Sequence, residues 1–228
     1  VLADLSGQLE NHTGVLSRYT ESVGILDRAL LTAETAKLHG MVRPELLPDG
    51  QPLSVVSGRY LPLRTECGER NLPYTPLSFT LEKGVSVVRG SNMGGKTVLA
   101  RSLGFFLLLF RYGFYIPADS FGSPFFDTLH LVVASAVRRE EKGLSSFGAE
   151  IRILTEEMEK RGKRAFFLFD EFAGTTTTTE ARALTEGLIE VFQDRGIYTL
   201  LATHILDLKV DGNVRLFRMK GLRRKEFL

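Results

Sequence analysis

The run Gly90-Ser91-Asn92-Met93-Gly94-Gly95-Lys96-Thr97 has the residue types and spacing of a loop that holds phosphate. Glycines let the main chain close around phosphate oxygens, because no side chain intrudes. The backbone N–H groups then converge at the start of the following helix, where an anion is favoured. In that arrangement Lys96 reaches the β- and γ-phosphates, and the Thr97 hydroxyl is a ligand of Mg²⁺. A second group follows the apolar run Phe166-Phe167-Leu168-Phe169, which ends on Asp170-Glu171. Asp170 is expected to hold Mg²⁺, directly or through water, and Glu171 to orient and polarise an attacking water. Two adjacent carboxylates are costly to bury unless a cation or ligand compensates them. A third candidate is His204, after Leu200-Leu201-Ala202-Thr203. It either contacts the γ-phosphate or the hydrolytic water, or it is a structural histidine.

These groups need a scaffold that brings distant segments to one edge. Val85 to Val88 reads as a β-branched strand, and helix formers run from Lys96 to Phe110. Strands are expected at 129–133, 166–169 and 198–202, and helices at 149–160 and 179–193. The continuous apolar run at 166–169 suits a strand covered on both faces. Strand-helix alternation of this kind implies an α/β domain with a largely parallel sheet, whose ligands bind at the carboxyl ends of the strands. The first forty residues read as helix, with Gly14 and Gly24 as candidate breaks and Gly40 and Pro44 as its end. Pro44, Pro48, Gly50, Pro52 and Gly58 read as a loop-rich connection. The expected organisation is a helical segment over 1–43, a linker over 44–58 and a nucleotide-binding domain over 59–228.

Composition narrows the classes. The net charge is +2, which makes no case for a nucleic-acid surface. Cys67 is the single cysteine, so an intramolecular disulfide is excluded and a reducing, cytoplasmic setting is expected. The most apolar stretch, Phe105 to Phe110, is far shorter than the roughly 20 residues of a membrane span and reads as a buried helix. The chain begins Val1-Leu2-Ala3 with no signal-peptide pattern, which reads as a piece of a longer or processed protein.

Taken in order, these elements resemble the MutS family. Residues 90–97 look like its GPNMGGKS loop, with Ser91 in place of proline. Asn92-Met93 is the telling pair, since a generic phosphate loop has no need of it. Ser145-Ser146-Phe147-Gly148-Ala149-Glu150 is similar to the family's STFMxE signature, Asp170-Glu171 to its DE pair, and Ala202-Thr203-His204 to its ATH motif. Leu38-His39-Gly40-Met41-Val42-Arg43-Pro44-Glu45 looks like the segment that joins the helical core to the ATPase. The resemblance implies a P-loop ATPase of ABC-like fold with a mostly parallel sheet, preceded by a helical segment, with ATP and Mg²⁺ as cofactors. It implies nucleotide contacts from Gly90 through Val98 and catalysis by Lys96, Glu171 and His204. It also implies a homodimer or MutS-like heterodimer through the ATPase faces, in which Ser145 serves the partner's nucleotide. Ser145 is otherwise a plain helix cap. An aromatic ring upstream of the loop stacks on adenine in the family; Tyr74 is the candidate, with Leu72 as the alternative aligned position.

Departures exist. The family's GRGTST after the DE pair is here Ala173-Gly174-Thr175-Thr176-Thr177-Thr178, without the arginine. The segment 136–142 alternates basic and acidic residues where the family is acidic, and reads as a solvated loop. No Phe-x-Glu mismatch wedge occurs within these residues, little room follows Val210 for dimerising helices, and the basic residues from Arg215 to Lys225 read as a solvated tail. Two readings stay open: the motor of a DNA repair or recombination protein that meets double-stranded DNA through other domains, or a MutS-like chaperone ATPase that reactivates a protein such as an aminomutase. The motor is common to both.

Overall fold

A computed structural model of the chain describes residues 2–10, 12–90, 95–133, 154, 156, 164–172, 177–210, 212 and 214–219. It divides into two compact units, Val1–Met41 and Val42–Leu228. The first unit holds α1 (Leu2–Glu10) and α2 (Thr13–His39). Helix α2 runs through Gly14 and Gly24, so neither glycine is the break; α1 ends at Glu10 and α2 begins at Thr13. A glycine inside a helix costs only about 1 kcal/mol, too little to end one by itself. Gly40 does end α2, in the left-handed conformation with φ 60° and ψ 45° that glycine adopts without strain.

The second unit carries two sheets. The four-stranded sheet has the order β1 (Glu45–Leu47), β5 (Ser120–Pro124), β2 (Leu53–Gly58), β3 (Leu77–Leu81). Strands β1 and β5 are parallel and the other neighbours antiparallel. The helix α3 (Leu61–Glu69) follows β2. Residues 44–58, expected as a linker, therefore contribute two strands. Their prolines and glycines lie mostly between the strands, while Leu53 and Val55 alternate into the core at 0% and 2% exposure.

The five-stranded sheet has the order β6 (Thr128–Val133), β7 (Ala165–Asp170), β8 (Tyr198–Thr203), β4 (Val85–Arg89), β9 (Arg215–Arg218), and every neighbouring pair is parallel. Helix α4 (Lys96–Arg111) and helix α5 (Thr178–Asp194) cover opposite faces. The period-2 alternation of strands explains this. Phe166 and Leu168 enter a core with Leu99, Leu103 and Phe106 of α4. Phe167 and Phe169 enter a separate core with Ala181, Ile189 and Phe192 of α5. Fully burying each such ring contributes about 1.5–3 kcal/mol, so an all-apolar β7 is what a three-layer sandwich demands. Helix α5 is capped by Thr177, whose hydroxyl oxygen accepts from the Glu180 N–H. Arg215 and Arg218, expected in a solvated tail, lie in β9 beside β4. The expected helix over 149–160 lies outside the described residues apart from Leu154 and Glu156, both helical. No helix among the described residues is long and apolar enough to cross a membrane.

Candidate functional site

Strand register decides which residues meet. Asp170 of β7 lies opposite Ala202 of β8, which lies opposite Val88 of β4. Thr203 lies opposite Arg89 one position further on. Hence Gly90, Glu171 and His204 all leave the same carboxyl edge of three adjacent strands, where open parallel sheets bind ligands.

Gly95 caps α4 with φ 85° and ψ 8°, so the chain enters the helix through a conformation that favours glycine. A Cβ at Gly90 would stand 3.2 Å from the Met219 Cβ, and one at Gly95 3.3 Å from the Met219 Cε. Both ends of the loop thus pack against Met219, whose N–H donates to the Arg89 carbonyl at 2.9 Å. Lys96 is 3% exposed, and its Nζ donates to the Gly90 carbonyl at 2.7 Å, spanning the mouth of the loop. Thr97 Oγ1 donates to Asp170 Oδ1 at 3.4 Å. Asp170 is buried at 5% exposure. Burial pushes its carboxyl above the ordinary carboxylate range; the Thr97 hydroxyl opposes that shift and the neighbouring Glu171 charge adds to it.

Glu171 sits at φ 64°, in the left-handed region that a non-glycine residue adopts at a cost of about 1–2 kcal/mol. Its N–H donates to the Ala202 carbonyl at 2.9 Å, which holds the turn against β8. The Glu171 carboxylate then lies 3.8 Å from His204 Nδ1, an ion pair whenever the imidazole is protonated. Strain of this kind persists where surrounding structure over-determines it, and it clusters at functional sites.

A buried ammonium, a buried carboxylate and a half-buried hydroxyl on one edge suit a polyanion carried with a hard cation. Thr97 and Asp170 both offer oxygen, the donor that Mg²⁺ takes. The close-packed glycines at 90 and 95 fit a phosphate cradle. Among the described residues no cluster of three or more His, Cys, Asp or Glu could hold a metal by itself.

Of the other expected site residues, Ser91, Asn92, Met93, Gly94 and Ser145 lie outside the described residues. Val98 is half-buried in the first turn of α4, where its carbonyl accepts from the Ser102 hydroxyl at 2.6 Å. The Tyr74 hydroxyl accepts from the Tyr60 N–H at 2.7 Å, which anchors this half-buried ring by its polar tip. Leu72, the alternative, is 55% exposed. Sequence reasoning missed Met219 and Arg89. The apolar pair Leu216-Phe217 between Arg215 and Arg218 was the available, weak signal for a short strand there.

The MutS domain V family model matches residues 86–220. The DNA mismatch repair protein MutS of Haloquadratum walsbyi is 27% identical over 210 residues, covering 91% of this chain and 22% of that protein. The protein of the same name from Streptococcus thermophilus is 26% identical over 207 residues, covering 90% and 24%. That from Streptococcus pyogenes is 24% identical over 205 residues, covering 90% and 24%. The chain thus spans under a quarter of the length of these relatives. With the family model spanning more than half of its residues, the chain belongs to the MutS family through domain V.

Proposed function

We propose that this chain binds and hydrolyses Mg-ATP, as the motor of a MutS-like protein with a P-loop fold. The observation that carries the reading is the Thr97–Asp170 pair, 3.4 Å apart, where the first turn of α4 meets the end of β7. A hydroxyl from the first turn of α4 and a carboxylate from the end of β7 meet there, 73 residues apart in sequence. Such a pair supplies two of the oxygens that a nucleotide-bound Mg²⁺ takes, the rest coming from phosphate and water.

The roles of the remaining groups follow from position. Mg-ATP, when bound, supplies an electrophilic phosphorus whose charge is spread over its oxygens. Lys96 and the N-terminal N–H groups of α4 hold and neutralise that charge. Glu171 takes up the proton of a water or orients it, and His204 holds Glu171 or the same water by a hydrogen bond. In a dimer of MutS type, the Ser145 segment closes on the partner's nucleotide, and closure is passed to DNA held by other parts of a longer protein. The relatives named as DNA mismatch repair proteins support this reading over one with a protein client.

Asp170→Asn tests the central pair. The substitution removes the metal ligand while keeping the shape, so nucleotide should no longer bind more tightly with Mg²⁺ than without it. It also removes a buried carboxylate whose ionisation burial disfavours. The free protein should therefore melt no lower than wild type, and a gain of 1 kcal/mol would raise Tm by about 2–4 °C at this size. Calorimetric titration with and without Mg²⁺, beside a thermal melt, reads both. Undiminished Mg²⁺ dependence in the variant would remove Asp170 from the site.

Mixing tests the composite dimer. Lys96→Ala keeps its own Ser145, and Ser145→Arg keeps its own Lys96. Each alone should be nearly inactive, and together they should regain a fraction of wild-type turnover through one intact site per mixed dimer. No recovery where mixed dimers are shown to form would rule out the role of Ser145 across the interface.

A further inference from the structure

Arg89 is the last residue of β4 and directly precedes Gly90. Alternation along β4 places it on the side of Val85 and Val87, which pack in the α5 core with Ile205 and Leu208. Its Nη1 donates to the Leu206 carbonyl at 2.7 Å, joining segments 117 residues apart. Its Nε and Nη2 are buried and have no hydrogen-bond partner among the described residues. A cation with two unpaired buried donors is a poor way to finish a strand, and an apolar side chain would fill the place at less cost. Residues that cost stability are retained where they serve function.

The contact it makes indicates that function. Leu206 lies two residues beyond His204. The far half of this loop is fixed to α5: Arg182 Nη1 donates to Asp207 Oδ2 at 2.5 Å, and the Lys209 N–H donates to Glu186 Oε1 at 2.6 Å. Nearer the strand, the Ile205 N–H donates to the Thr203 hydroxyl at 3.1 Å. His204 itself is half-exposed, and its imidazole lies 3.8 Å from the Glu171 carboxylate. Arg89 joins the stretch that carries this imidazole to the strand that feeds the phosphate loop.

We propose that Arg89 is a positioning residue: it ties the 204–206 segment to the β4 strand end, so that His204 keeps its place beside Glu171. The proposal rests on the ATPase reading for its effect on turnover, and on geometry alone for the tether. It places a positioning role on a residue outside the 90–97 run, acting through His204 rather than on the nucleotide.

The test uses Arg89→Met and Arg89→Lys in the full chain. Amide hydrogen exchange of residues 204–208 is measured without nucleotide, and kcat and nucleotide affinity are measured in wild-type and His204→Ala backgrounds. Arg89→Met should melt no lower than wild type, since it removes unpaired buried donors. Exchange at 204–208 should speed up about tenfold or more as the tether is lost. Turnover should fall about tenfold with affinity within about twofold, and the same change should cost under about twofold once His204 is gone. Arg89→Lys, which keeps a donor, should recover part of the rate and slow the exchange again. Unchanged exchange at 204–208 would overturn the proposal, as would equal losses in both backgrounds or a loss confined to affinity. Should Arg89→Met fail to fold, Arg89→Lys carries the same readouts, with intermediate values expected. If the wild-type chain turns over no ATP, the ATPase reading falls, and the exchange result alone still decides whether the tether exists.

Discussion

Lys96→Ala is expected to weaken Mg-nucleotide binding by about 100-fold or more, equivalent to about 2.8 kcal/mol. The ammonium is nearly inaccessible, and it already spans the loop mouth by donating to the Gly90 carbonyl at 2.7 Å. A charge held there without a polyanion is costly, and one facing phosphate forms hydrogen bonds about twice as strong as neutral ones. Alanine keeps the backbone cradle and removes the charge. Calorimetric titration with a non-hydrolysable ATP analogue reads the loss, and a circular dichroism spectrum establishes that the variant is folded. Affinity equal to wild type would mean that the glycine loop holds something other than phosphate.

Glu171→Gln should separate binding from chemistry. The glutamine keeps the size of the side chain and the backbone bond to Ala202, and it loses only the carboxylate that can accept a proton. Turnover is expected to fall about 100-fold or more with nucleotide affinity within about threefold. His204→Ala should cost less, because an imidazole 3.8 Å from the carboxylate acts by orientation rather than as the base. Steady-state phosphate release beside equilibrium titration measures both parameters. Near wild-type turnover in Glu171→Gln would place the base elsewhere and leave Glu171 as a strained strand terminus.

The parts of the site legible in the sequence were those whose chemistry is local. A phosphate cradle needs glycine, lysine and a hydroxyl at fixed spacing, so residues 90–97 announce themselves without a fold. An apolar strand covered on both faces needs a continuous run, so β7 was visible from Phe166 to Phe169. The pairing of these segments was not legible in detail. Nothing in the spacing says that β8 lies between β4 and β7, although that order sets Glu171 against Ala202 and beside His204. The four-stranded sheet was hidden because its strands are short and its connections rich in proline and glycine. Strand β9 was hidden by its charges: Arg215 and Arg218 read as tail, while a parallel edge strand needs only the backbone and a neighbour. The anchoring of Tyr74 was not legible either, since its hydroxyl is held by the Tyr60 N–H, a partner that spacing does not reveal.

The most direct measurement follows bound nucleotide and released phosphate together in the wild-type chain, with Mg-ATP added to saturation and then with Mg²⁺ chelated. An ATPase built on Lys96, Thr97, Asp170 and Glu171 should saturate with nucleotide and release phosphate steadily. Release should cease on chelation and fall by about 100-fold in a parallel Glu171→Gln sample. Saturation with nucleotide but no phosphate release above the rate in water, across chain concentrations at which dimers form, would contradict the account and make this domain a nucleotide-binding module without catalysis.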